Sequence, residues 1–230
     1  MHRYGQYCPV AKAAEILGDR WTLLIVRDML TGACHFNEMA RGLPGISRSL
    51  LSDRLDRLQS VGLVDKIEEP KGRYTTRYEL TRAGQALSSV VEALLVWGAR
   101  WAFEEPRQEE LDPILMLWWM RNRVRSEALP TQRVVVQIHF TGAVDATHWL
   151  VLQRDDVSVC ITHPGFDIDV LLTADISTFY QVWLGRVAYA DARRDGKIEV
   201  DAIPALVRGF PRWFTYSEAA QAVRAAQRER

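Results

Sequence analysis

Apolar residues recur at helical spacing through most of the first hundred positions, and Gly, Pro, Ser or Thr marks each break between runs. Pro9 suits a first turn, so residues 9–17 are predicted helical, with Gly18 as the stop. Residues 20–30 form a second predicted helix, in which Trp21, Leu24, Ile25 and Met29 fall near helical spacing. Residues 36–41 form a short helix that the Gly42-Leu43-Pro44-Gly45 stretch breaks. Ser47 is a natural N-cap for the next helix, which reaches about Val61. There Leu51, Leu55 and Leu58 share one face, while Ser49, Asp53, Asp56 and Ser60 point the other way. Two short strands follow at 63–68 and 76–80, joined by a polar tip at 69–75. Thr81 then caps one long predicted helix through about Phe103.

Beyond a polar, Pro-containing stretch the pattern changes to mixed helix and strand. Residues 133–140 are rich in β-branched side chains, and 149–153, 157–161 and 168–172 are further short strands. The Arg154-Asp155-Asp156 turn joins two of them. Helices at 176–184 and 188–194, a strand at 197–200 and closing helices complete the chain. The expected architecture is two domains. Residues 1–105 make a mainly α winged helix-turn-helix with dimerisation helices, 106–113 a linker, and 114–230 an α+β domain with a roughly five-stranded sheet and packed helices.

Composition adds limits. With 48% hydrophobic and 25% charged residues the chain can bury a core. No apolar run approaches the ~18 residues of a membrane span, and residues 114–120 are followed at once by Arg121, Arg123 and Arg125. No basic-led apolar leader opens the chain, so a cytoplasmic protein without a membrane partner is expected. Cys8, Cys34 and Cys160 are scattered, which suggests neither a disulfide framework nor a zinc site. Net charge is zero, but positions 41–82 hold nine basic residues against six acidic, a local +3 that permits phosphate contacts.

Helix, helix, short helix, longer helix and two-stranded wing is the order of a DNA-reading device, because a helix fits the major groove and presents its early residues to base edges. Arg48, Ser49, Ser52 and Asp53 hold those positions. Arginine can donate two hydrogen bonds to guanine. Lys71 and Arg73 at the wing tip would meet phosphates or the minor groove, with Arg77 in support. Arg57, and Arg54 beside it, read either as DNA contacts or as partners of Asp53 or Asp56 on a solvated helix. Trp21, Leu23, Leu24 and Ile25 read as core.

Several ordered motifs also resemble one family. They are Cys8-Pro9-Val10-Ala11, the run from Leu17-Gly18-Asp19-Arg20-Trp21 to Ile25, Phe36-Asn37-Glu38-Met39, Leu43-Pro44-Gly45-Ile46-Ser47 and Leu51-Ser52-Asp53-Arg54-Leu55. Gly62-Leu63-Val64, Tyr78-Glu79-Leu80-Thr81 and Gly84 continue the pattern. Over most of residues 8–100 the chain resembles the HxlR family, relatives of the MarR regulators. The resemblance implies a homodimer built from terminal helices, with two recognition helices on a pseudo-palindromic double-stranded operator. Some members sense oxidants or electrophiles through a cysteine near the place of Cys8. A helix N-terminus lowers a thiol pKa, though an inert buried cysteine fits the position as well.

Residues 114–215 resemble the sterol carrier protein type 2 family. The carrying residues are Asp167-Ile168-Asp169-Val170, Thr173-Ala174-Asp175, Trp183-Leu184-Gly185-Arg186, Ala190 and Asp195-Gly196-Lys197-Ile198-Glu199-Val200. The likeness implies a five-stranded sheet over an apolar small-molecule effector. Ala202-Ile203-Pro204 departs from it where relatives often carry a second glycine. Trp118, Phe179, Trp183, Phe210 and Trp213 are the candidate lining, with plain core filling as the other reading. Asp167 and Asp169 are expected on one strand. None of the known nucleophile, Walker or dinucleotide motifs occurs, so neither an enzyme, a cofactor nor a metal is expected. The leading expectation is a ligand-responsive transcriptional regulator. Its alternative is a lipid or small-molecule binding protein whose helical half mainly dimerises.

Overall fold

The computed structural model describes residues 3–68 and 76–229 and divides into two compact units, Met1–Leu94 and Leu95–Arg230. In the first unit, α1 (Pro9–Leu17) carries its proline at N1 and stops at Gly18, where a Cβ would lie 2.6 Å from the Ala14 carbonyl oxygen. The second helix, α2 (Thr22–Leu30), starts two residues later than its apolar pattern suggests. Trp21 sits at φ 80°, a left-handed conformation that costs a side-chain-bearing residue about 1–3 kcal/mol. The face that turns inward also differs from the predicted stripe. Thr22, Ile25, Val26 and Met29 form the buried stripe, and Leu24, half a turn away, is 41% exposed. Leu24 is therefore not core, and Trp21 and Leu23 are only partly covered.

Helix α3 (Phe36–Gly42) and helix α4 (Arg48–Ser60) form the helix-turn-helix pair. Ser47 caps α4 by accepting from the Leu50 amide at 3.2 Å. Leu51, Leu55 and Leu58 enter the core beside Ile25, Val26, Met39 and Leu43. Strands β1 (Val64–Glu68) and β2 (Thr76–Leu80) pair antiparallel, Val64 opposite Leu80 and Glu68 opposite Thr76. The Tyr78 amide donates to the Cys34 carbonyl at 2.7 Å and ties this wing to the helices.

The single long helix expected from Thr81 is in fact two, α5 (Arg82–Gln85) and α6 (Ser88–Trp101). Thr81 Oγ1 accepts from Gly84 N at 3.2 Å and donates to the Gly62 carbonyl at 2.7 Å, clamping α5 against the end of α4. The chain then turns so that Leu87 and Val91 reach the first unit's core.

Asp28 is the one charged residue of α2 inside this core, 7% exposed. Arg27 pairs with its Oδ1, while Oδ2 has no partner among the described residues and occupies the space a Cβ on Gly42 would need. Burial pushes its carboxyl up, against the smaller pull of Arg27. A raised folded-state pKa makes the protonated form the stabilising one, so its contribution is complete below the unfolded value of about 4 and is lost as pH rises through the folded value. Asp28→Asn removes that titration. The variant's stability relative to the parent should therefore improve between pH 4 and pH 7. Parallel curves of melting temperature against pH for the two proteins would contradict this.

The stretch read as a linker, 106–113, lies inside the second unit, which begins at Leu95. Leu111 enters its core, Glu105 pairs with Arg186 at 2.8 Å, and Asp112 caps α7 (Pro113–Arg121) by accepting from Ile114 N and Leu115 N at 2.8 and 3.1 Å. Strands β3 (Val134–Thr141), β4 (Ala146–Leu152), β5 (Val157–Cys160), β6 (Val170–Asp175) and β7 (Ile198–Ala202) form one sheet in the order β5-β4-β3-β6-β7. Only the central β3–β6 pair is parallel. Helix α7 lies against β4 and β5, while α8 (Ile176–Trp183) and α9 (Tyr189–Arg194) rest on β6 and β7. Helices α10 (Pro204–Gly209) and α11 (Ala219–Arg228) close the chain.

Strand β6 begins later than its β-branched pattern predicts, so Asp167 and Asp169 do not share a strand. Asp169 instead turns back, and its Oδ2 accepts from Val135 N at 2.7 Å. Among the described residues, no helix is long and apolar enough to cross a membrane.

Candidate nucleic-acid interface

Packing of the three α4 leucines leaves the opposite face of that helix in solvent. Arg48, Ser49, Ser52 and Asp53 are all exposed on its first turns. Arg48 is held in place: its Nη2 donates to Asn37 Oδ1 at 3.0 Å, and its guanidinium lies 4.8 Å from the Phe36 ring centroid. Cation–π contact and a single neutral hydrogen bond restrict the side chain without neutralising it. Ser47 and Ser49 share a hydroxyl contact at 3.2 Å beside it. The result is an oriented cation and a row of small hydroxyls on a helix face that stays exposed among the described residues. Asn37 and Phe36 orient Arg48, a role that sequence patterning missed, since nothing in the spacing of α3 announces a contact eleven residues onward.

The other arginines divide differently from expectation. Arg57 Nη2 donates to the Glu15 carbonyl at 2.9 Å, and its Nε lies 3.2 Å from Asp19 Oδ2. Arg54 donates to the Arg20 carbonyl at 3.2 Å and reaches Asp19 at 3.9 Å. Neither pairs with Asp53 or Asp56. Both guanidiniums tie α4 to the α1–α2 turn, so Arg57 serves the packing of helices rather than the exposed face. Arg77, on β2, bonds Glu79. Lys71 and Arg73 lie outside the described residues.

Cys8 is the N-cap of α1 and is half-buried. Cys34, His35 and Glu38 come together just before and within the first turn of α3, with one ligand atom from each within 4.8 Å of the others. This juxtaposition groups a cysteine, a histidine and a glutamate that the sequence reading did not bring together. Its sequence signal, positions 34, 35 and 38, is too short to stand out without the helical turn that folds Glu38 back.

In the second unit a small cavity of about 40 Å³ lies between α8, α9 and the Phe210–Tyr216 segment. Phe179, Trp183 and Phe210 line it, with Met120, Tyr189 and Phe214. Trp213 is buried behind Phe210, 5.7 Å away edge-on, and Trp118 lies elsewhere under the Arg121 guanidinium. The Tyr189 hydroxyl has no partner among the described residues, and burial pushes its phenol up.

Residues 16–106 match the model of the HxlR-like helix-turn-helix family. An uncharacterised HTH-type transcriptional regulator of Mycobacterium tuberculosis (strain ATCC 25618 / H37Rv) is 42% identical over 89 residues, 39% of this chain and 56% of the relative. The chain thus spans about half the length of the mycobacterial relatives it matches. YvaP of Bacillus subtilis (strain 168), also named an HTH-type transcriptional regulator, is 35% identical over 97 residues, 42% of this chain and 90% of YvaP. Among solved structures, the reduced form of the transcriptional regulator YodB from B. subtilis is 30% identical. It covers 42% of this chain and 96% of its own, at a TM-score of 0.37. With nine-tenths of YvaP matched at that identity and the helix-turn-helix and wing in place, the chain belongs to the HxlR-like helix-turn-helix family.

Proposed function

We propose that the protein is a sequence-specific transcriptional regulator that reads double-stranded operator DNA as a homodimer. The observation that carries this reading is the uncovered first turn of α4, where Arg48 is oriented by Asn37 and Phe36 but keeps its charge. A helix entering the major groove offers those residues to base edges. Ser49, Ser52 and Asp53 stand with it, while Lys71, Arg73 and Arg77 belong to the wing and its backbone contacts. Family membership supports the same assignment.

Residues 1–105 are the DNA-reading and dimerising part, and 114–230 a sterol-carrier-like part that responds to an apolar small molecule. The element order β6, α8, Gly185-Arg186, α9, Gly196-Lys197, β7 in a five-stranded sheet supports that likeness. The cavity has room for about three waters. An effector must therefore widen it, with the unpartnered Tyr189 hydroxyl as its polar anchor. An effector changes DNA affinity only by binding the two DNA-affinity states unequally. Cys8, at the start of α1, is the candidate thiol if the regulator also answers to oxidants.

The test uses the full chain and duplexes selected from a random pool. Arg48→Ala should weaken binding to the selected sequence by about 1–3 kcal/mol, roughly 5- to 150-fold, and relax preference at one base pair. Lys71→Ala should weaken all duplexes alike and flatten the salt dependence. A pool that yields no preferred sequence, or equal affinities for parent and both variants, would overturn the reading.

A further inference from the structure

Cys34, His35 and Glu38 bring a sulfur, a nitrogen and an oxygen donor to one place, none of them part of the exposed α4 face. Cys34 Sγ already lies 3.8 Å from Glu38 Oε2, and all three ligand atoms lie within 4.8 Å of one another. Tetrahedral ligation at about 2.0–2.3 Å per bond sets donors roughly 3.5 Å apart. Side-chain rotation of about an ångström closes that difference.

The frame around the donors exists before any ion arrives. Glu38 Oε2 accepts from the Cys34 and His35 amides, each at 3.1 Å, so the carboxylate is anchored over the two ligands that precede it. His35 Nδ1 lies 3.0 Å from the Thr76 carbonyl oxygen. A carbonyl only accepts, so Nδ1 carries the proton and Nε2 the lone pair, the second-sphere pattern that orients a ligating histidine. Mixed thiolate, imidazole and carboxylate donors suit zinc, while calcium and magnesium want oxygen alone.

We infer that Cys34, His35 and Glu38 form a binding site for one Zn²⁺ ion per chain, tying the start of α3 to β2 of the wing. The tie runs through Thr76, the first residue of β2, and through the Tyr78 amide, which donates to the Cys34 carbonyl. The three protein donors leave a fourth position for water, so the site exchanges its ion rather than enclosing it. Binding transfers the Cys34 thiol proton to solvent as the sulfur–zinc bond forms, and affinity therefore falls with falling pH. This inference stands apart from the DNA reading, because the ion is detected without DNA.

The experiment titrates Co²⁺, then Zn²⁺, into the full-length protein after chelator treatment. One Co²⁺ per chain is expected, with a near-ultraviolet thiolate-to-metal charge-transfer band that Zn²⁺ abolishes. Cys34→Ser should remove the band, whereas Cys8→Ser and Cys160→Ser should keep it. Glu38→Gln retains an acceptor oxygen for the two amides, so the fold is kept while Zn²⁺ affinity falls at least tenfold. It also serves if Cys34→Ser does not fold. Absence of saturable Co²⁺ binding by the parent protein, a band that survives Cys34→Ser, or unchanged affinity in Glu38→Gln would each overturn the site.

Discussion

Gly84→Ala is expected to destabilise the first unit by about 3 kcal/mol, although alanine is the better helix former by about 1 kcal/mol. Gly84 lies in α5, and an added Cβ would meet the Leu63 carbonyl oxygen at 2.2 Å and Leu80 Cδ2 at 2.9 Å. The leucine side chain can rotate away. The carbonyl cannot, because it belongs to the backbone between α4 and β1 and accepts the Thr81 amide at 3.1 Å. Relief therefore requires α5 to move off the wing, loosening the Thr81 clamp and the turn that sends Leu87 into the core. For a unit of this size, 3 kcal/mol lowers the melting temperature by at least about 10 °C. Thermal unfolding of the two proteins side by side checks it, and an alanine variant as stable as the parent would show that α5 is free to shift.

The second large effect concerns α6. Val90, Leu94, Trp97 and Trp101 recur at alternating spacings of four and three, the seam of a packed helix pair, yet all four are exposed. Trp97 is 59% exposed and Trp101 66%. For a side chain of roughly 250 Å², burying the remaining surface of Trp97 removes about 150 Å² from water, worth about 4 kcal/mol at ~25 cal/mol per Å². In a twofold pair each such contribution occurs twice. On the dimer reading, the parent protein sediments as a dimer at micromolar concentration. Leu94→Glu with Trp97→Glu should raise the dissociation constant at least a hundredfold, about 3 kcal/mol, by placing carboxylates on the seam. The same variant should lose affinity for a two-half-site duplex, since each copy then binds alone. A monomeric parent, or a double variant that remains dimeric, would remove α6 from the interface.

Much of the candidate interface was legible in the chain itself. Ser47 with leucines at 51, 55 and 58 determines a capped helix whose buried stripe is set by its own period, and that alone puts Arg48, Ser49, Ser52 and Asp53 outside. The two wing strands and the β-branched core strands of the second unit follow from equally local rules. What only the tertiary structure decided involves partners distant along the chain. Arg57 could have paired with a neighbouring aspartate; it meets Glu15, 42 residues away, because α4 crosses the end of α1. Leu24 matched an apolar stripe, but packing of α2 against α3 and β2 turns another face inward. The helix predicted from Thr81 runs unbroken through Gly84 to Leu87, and the break arises where α5 must pass a carbonyl of a preceding turn. His35 reaches Thr76 across 41 residues, which no short spacing encodes. Periodicity reports the direction in which a side chain points. Which group it meets there depends on how separate elements close on one another, and that is set by packing the whole unit rather than by any one segment.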